Sequence, residues 1–99
     1  MAKMLPKWLT QRYLLMMDKF GTEQFNFEGA KRLLKPNFSD SDQLVSLVLS
    51  MLKGSGWLNV EIDPTDSRKR LYSLSKMYKE DVFKELVAET KAEIKKGRT

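Results

Sequence analysis

An apolar helix that stops at two glycines and runs straight into a basic hairpin constrains this chain more than any other feature. The stretch is Asp42 to Ser75, DQLVSLVLSMLKGSGWLNVEIDPTDSRKRLYSLS. Leu44, Val45, Val48, Met51 and Leu52 recur with helical spacing and predict a buried stripe. Gln43, Ser46, Ser50 and Lys53 fall on the opposite face, with Leu47 and Leu49 at its borders. Gly54 and Gly56 end the helix. From Trp57 the pattern changes to alternation, with Leu58, Val60 and Ile62 on one side and Asn59 and Glu61 on the other, which predicts a strand. Asp63-Pro64-Thr65-Asp66-Ser67 is turn chemistry, and Arg68 to Leu74 is the returning strand.

The rest of the chain supplies helices. Leu9, Tyr13, Met16, Met17 and Phe20 mark a first helix from Lys7 to Phe20, preceded by Pro6 and stopped by Gly21. Trp8, Leu14 and Leu15 widen its apolar face, as expected of a central helix. Phe25 and Phe27 alternate in a brief extended segment, and Asn26 is the expected N-cap of a second helix over Glu28 to Leu34. Ala30, Leu33 and Leu34 face inward there, and Lys31, Arg32 and Lys35 outward. Pro36 disfavours a helical Lys35 and is expected to end the helix. Phe38 is expected to anchor a connecting turn. Ser39 or Ser41 is expected to cap the third helix, with Asp40 and Asp42 favouring its positive end. Ser75 is the expected cap of a last helix from about Lys76 to Lys96, followed by a frayed Gly97-Arg98-Thr99.

Composition narrows the chemistry. With 99 residues and no linker or repeat, the chain reads as one domain, 1–99. It holds neither cysteine nor histidine, which removes disulfides, thiolate metal sites, most zinc chemistry and the Ser-His-Asp triad. Glu61, Asp63 and Asp66 surround the hairpin turn without the glycine and distal glutamate of a calcium loop. No glycine-rich phosphate loop or nucleophile elbow occurs. The sequence therefore predicts no enzyme, no cofactor and no metal. No segment approaches the ~20 apolar residues that span a bilayer, and MAKMLPKWL lacks the apolar core and cleavage site of a signal peptide. The expected location is the cytoplasm, that of the host if the chain is viral. Net charge is +5, and Ser67 to Lys79 carries five basic residues and no acid, a distribution suited to a polyanion.

The predicted class is mainly α with a small antiparallel β-wing, in the order helix, short strand, helix, helix, strand, strand, helix. That is winged helix-turn-helix order, with the wing at about 57–74 and the last helix at about 76–96. From about Val45 to Ser75 the chain resembles the MarR-type winged-helix regulators and small archaeal and viral single-domain relatives. The residues that carry the likeness are Leu52-Lys53-Gly54-Ser55-Gly56-Trp57-Leu58, the Asp63-Pro64 turn, Asp66-x-Arg68, and Leu74-Ser75 in place of the family's Leu-Thr. Ser67 stands where the family often has a second arginine, and Met77-Tyr78 where it has a glycine. The resemblance implies a third helix in the major groove, a wing arginine, Arg68, on the minor groove or backbone, and Asp66 as its brace.

These readings give a double-stranded DNA-binding transcription regulator. Gln43, Ser46 and Ser50 lie at i, i+3 and i+7, where glutamine can pair with adenine and serine can reach a base or a phosphate. Lys53 adds a phosphate contact. Arg68, Lys69 and Arg70 would grip the minor groove or backbone, and Lys31, Arg32 and Lys35 would set register on it. Against this, the third helix has no arginine, and Asp40 and Asp42 place acid at its leading end. The competing reading is a protein-interaction module that uses Leu47, Leu49 and the last helix. On the last helix Val82, Phe83, Leu86, Val87 and Ile94 form the expected homodimer face, in which two recognition helices stand ~34 Å apart.

Overall fold

The computed structural model describes residues 5–96; the frayed tail expected at Gly97-Arg98-Thr99 lies outside them. The elements are α1 (Lys7–Phe20), α2 (Phe27–Phe38), α3 (Asp42–Gly54), β1 (Leu58–Asp63), β2 (Asp66–Leu74) and α4 (Glu80–Lys96).

α1 has the predicted limits because its signals are local. Pro6 precedes it, and Gly21 follows at φ +61°, where a side chain would be strained. All of Leu9, Tyr13, Leu14, Leu15, Met16 and Met17 are buried, so the helix is embedded on several sides. α2, α3 and α4 all pack against it. The core continues through Ala30 and Leu34 of α2, Val45, Val48, Leu49 and Leu52 of α3, Trp57, Leu58 and Leu74 of the wing, and Val87 of α4. Each large aliphatic side chain buried this way contributes about 1.5–3 kcal/mol before entropy is subtracted.

The second helix is longer than the sequence predicts. It passes through Pro36 and ends at Phe38. Proline inside a helix forfeits one hydrogen bond and crowds the preceding turn, but here it sits one turn from the end. Asn37 Nδ2 donates to the Leu33 carbonyl at 2.7 Å, and Ser39 N–H closes the helix on Lys35 O at 2.8 Å. Ser39 adopts the left-handed conformation at φ 59°, ψ 34°. The added turn delivers Phe38 to the Arg12 guanidinium, 4.2 Å from its ring centre. Phe38 is half-buried in the helix rather than anchoring a loop. Asn26 caps the helix as expected, accepting from Gly29 N–H at 2.8 Å. Ser41 caps α3, accepting from Leu44 N–H at 3.1 Å.

The exit from α3 follows from its glycines. Ser55 N–H bonds Met51 O, Gly56 N–H bonds Lys53 O, and Trp57 N–H bonds Leu52 O, with Gly56 at φ +82°. β1 and β2 pair antiparallel from Leu58↔Leu74 to Ile62↔Arg70, with a register shift between Ile62 and Asp63. The turn is tighter than the expected five residues, because β2 begins at Asp66 rather than Arg68. Asp63 Oδ1 accepts from Thr65 N–H at 2.8 Å and Thr65 Oγ at 2.7 Å, fixing the Pro64-Thr65 reversal. Ile62, expected on the same side as Leu58 and Val60, is exposed because the hairpin tip extends beyond the core. The short extended segment forms a single bridge, in which Phe25 and Tyr72 exchange backbone bonds of 2.8 and 2.7 Å.

α4 begins at Glu80, four residues after the expected start, and Ser75 does not cap it. Tyr13 accounts for the difference. Its hydroxyl donates to Ser75 O at 2.6 Å and accepts from Met77 N–H at 3.1 Å. Ser75 N–H is itself bound to Trp57 O at 3.0 Å. These bonds commit Ser75 O and Met77 N–H to the Tyr13 hydroxyl, and α4 starts only at Glu80. Tyr13→Phe removes both hydroxyl bonds and leaves two part-buried backbone groups without these partners. The expected loss is about 1–3 kcal/mol of unfolding free energy, read from urea denaturation of the two proteins.

Candidate nucleic-acid interface

Gln43, Ser46, Ser50 and Lys53 are all exposed on the outer face of α3. Leu47 joins them at 48% exposure, whereas Leu49, expected at the border of the same face, is buried. A depression of about 220 Å³ separates this face from the wing and is lined by Ser46, Leu49, Ser50, Lys53, Val60 and Tyr72. A second, of about 310 Å³, lies between the start of α2 and the wing, lined by Asn26, Phe27, Glu28, Arg68, Lys69, Arg70 and Tyr72. Tyr72 lines both, so the depression beside α3 and the one beside the wing cations adjoin at this residue. Sequence reasoning placed Tyr72 mid-strand without a role. Its aromatic partners are far away in sequence, and nothing local signals that it joins the two grooves.

The wing cations are exposed and locally organised. Asp66 Oδ1 accepts from Arg68 N–H at 3.0 Å and from Arg68 Nε at 3.3 Å. The Arg68 backbone N–H, followed by its guanidinium, holds the Asp66 carboxyl below the usual carboxylate range. Arg70 Nη1 donates to Ser67 O at 3.1 Å. Among the described residues no carboxylate lies within ion-pair distance of Lys53, Lys69 or Arg70.

The α2 cations are arranged differently. Lys35 Nζ is 2.6 Å from Asp42 Oδ1, and Lys31 Nζ lies 3.3 Å from Glu28 and 3.5 Å from Asp42. The Lys35 hydrogen bond, then the charge of Lys31, keeps the Asp42 carboxyl below its ordinary range. The hydrogen bond to Glu28 chiefly raises Lys31. Arg32 is exposed and, among the described residues, in no ion pair.

The acidic leading end of α3, which counted against phosphate contact, is largely neutralised. Asp40 is only 3% exposed. Its carboxylate accepts from Arg12 Nε at 2.9 Å and Nη2 at 2.7 Å, a two-pronged pair. Arg12 Nη1 also bonds Trp8 O at 2.9 Å, and its guanidinium faces the Trp8 and Phe38 rings. Asp40 therefore locks the turn before α3 onto α1. Nothing in the sequence pairs Arg12 with a residue on a different element.

The residues expected at a dimer face do not share one environment. Val87 is buried in the core of its own chain, and Phe83, Leu86 and Ile94 are half-buried. Val82 is 41% exposed. Among the described residues no cluster of acidic side chains could hold a metal ion, and no helix is long and apolar enough to cross a membrane.

No family model matches the chain. It is 33% identical over 79 residues to the type I restriction enzyme MjaVIII methylase subunit of Methanocaldococcus jannaschii, over 80% of this chain. It is 31% identical over 87 residues to the MjaVII methylase subunit of the same organism, over 88% of this chain. The matched regions are 13% and 15% of those relatives' lengths. Among solved structures it is similar to Bordetella bronchiseptica BpsR, whose DNA binding is regulated by 6-hydroxynicotinic acid. The TM-score is 0.55 at 22% identity, covering 94% of this chain and 67% of that one. It is also similar to apo MarR from E. coli, with a TM-score of 0.56 at 20% identity, covering 91% and 65%.

The Arg12–Asp40 pair can be tested for its hold on α3. Arg12→Ala leaves a buried carboxylate without its partner and is expected to cost about 3–5 kcal/mol in denaturant unfolding. Replacing both residues, Arg12→Met with Asp40→Leu, is expected to recover most of that loss. Element order, the α3 exit and the two likenesses in solved structures together give the chain a winged helix-turn-helix fold of the kind seen in MarR-type regulators.

Proposed function

We propose that this chain is a non-catalytic module that binds double-stranded DNA and acts in transcription regulation. The observation that carries the reading is that the polar face of α3 and the wing cations border two depressions that share Tyr72. A helix with an exposed polar face can enter the major groove while an adjoining hairpin reaches the backbone or minor groove. Gln43, Ser46 and Ser50 meet base edges, with the serines also able to reach phosphate. Arg68, Lys69 and Arg70 grip the backbone or the minor groove. Lys53 and Arg32 neutralise phosphates, and Lys31 and Lys35 do so while sharing their charge with Asp42. The neutralised start of α3 supports the reading, because Asp40 no longer faces the phosphates.

The methylase-subunit relatives favour a second reading, in which the same DNA-binding surface serves a longer DNA-modifying polypeptide. The two readings share the interface and differ in what it delivers DNA to. A protein-interaction module is less well supported, since burial of Leu49 leaves Leu47 alone at the border of α3. A homodimer formed through α4 would use Val82, the exposed member of its expected face.

Gel shifts on random-sequence duplex across a salt series test the reading. Affinity is expected to fall steeply between 50 and 200 mM salt, by roughly tenfold or more for several phosphate contacts. Arg68→Ala with Arg70→Ala is expected to weaken binding on every sequence and flatten the salt slope by about two. Absence of any shift at the lowest salt overturns the proposal. Sedimentation of wild type and Val82→Glu tests the homodimer, and a monomer mass for the wild type rejects it.

A further inference from the structure

We infer that the depression between α3 and the wing is a binding site for one phosphodiester of the DNA backbone, held by the Tyr72 hydroxyl and the Lys53 ammonium. The inference rests on the DNA-binding reading and specifies a contact within it. The site is small, about 220 Å³, with an apolar floor of Leu49 and Val60 and polar walls from two elements. α3 supplies Lys53 and, at the rim, Ser46 and Ser50. β2 supplies Tyr72.

Tyr72 is held by everything except its hydroxyl. Its backbone is clamped to Phe25 by bonds in both directions, 2.7 and 2.8 Å. Its ring packs 5.8 Å from that of Phe25, which stacks on Phe20 at 4.4 Å. The hydroxyl makes no hydrogen bond among the described residues. It is also not sealed from solvent, because the one buried side-chain polar atom left unpaired there is Trp57 Nε1. A held phenol with an open hydroxyl and a lysine in no ion pair among the described residues line the same depression, whose lining holds no acid. A phosphate oxygen accepts from both, and tyrosine is among the side chains that contact the backbone this way. Because the site straddles α3 and the wing, holding one phosphate there fixes how deeply the α3 face sits against the bases. Tyr72 is thus a positioning residue.

The test compares wild type, Tyr72→Phe, Lys53→Gln and the double variant on random-sequence and selected duplexes in a salt series. Circular dichroism and thermal melting check each fold. Tyr72→Phe keeps the ring stack and removes only the hydroxyl. It is expected to weaken binding about ten- to hundredfold, as for loss of a hydrogen bond to a charged group, equally on all sequences and with the salt slope unchanged. Lys53→Gln is expected to weaken binding and reduce the slope by about one. The double variant should lose less than the product of the two effects, since both groups hold the same phosphate. Wild-type affinity in folded Tyr72→Phe, or fully multiplicative losses, overturns the site while the DNA-binding reading stands. Failure of the wild-type protein to bind duplex at low salt overturns both.

Discussion

The Tyr13 hydroxyl is the contact on which the arrangement of this molecule turns. Its ring is buried on the central helix and meets Trp57 edge-on, 4.9 Å between centroids. Its oxygen both donates and accepts, tying α1 to the segment that leaves the wing. The wing is thereby fixed at its root, and α4 can begin only after the chain has passed Tyr78, whose ring also packs near Tyr13. Burial pushes the Tyr13 phenol up, against the opposing pull of the Met77 N–H.

One residue earlier, Arg12 does the corresponding task for α3. Its guanidinium is enclosed by Trp8, Phe38 and Asp40, so the turn that launches α3 is held to α1. Two adjacent residues of one helix thus set the positions of the two parts that form the candidate interface. A buried ion pair is a weak source of net stability, because desolvation offsets much of the attraction. Its effect here is geometric and electrostatic: it orients α3 and removes a negative charge from the face turned towards solvent.

That removal changes the balance of the candidate interface. Read as a string, α3 has two acids at its leading end, Asp40 and Asp42, which counts against a polyanion. In the fold, one acid is buried against Arg12 and the other is shared between Lys35 and Lys31. Among the described residues, positive charge with no carboxylate at ion-pair distance stays at Lys53, Lys69 and Arg70, while Arg68 is braced by Asp66. The cost falls on the α2 patch, where two of three expected phosphate contacts are partly satisfied within the chain. The surface is consequently asymmetric, with its run of cations on β2 and its polar face on α3.

The sequence by itself determined the parts whose signals are local. Helix α1, the cap at Asn26, the glycine exit from α3, the hairpin and the exposed face Gln43-Ser46-Ser50-Lys53 follow from spacing, capping and turn chemistry within a few residues, which left the α3 cap open between Ser39 and Ser41. Only the tertiary structure decided the rest. It carried α2 through Pro36, because Phe38 had a guanidinium to reach. It delayed α4 to Glu80, because the Tyr13 hydroxyl held Ser75 O and Met77 N–H. It buried Asp40 and Leu49 and put Tyr72 between the two grooves. Each of these outcomes is set by a side chain on a different element, and the energy of such a contact leaves no trace in the periodicity of either partner's own segment.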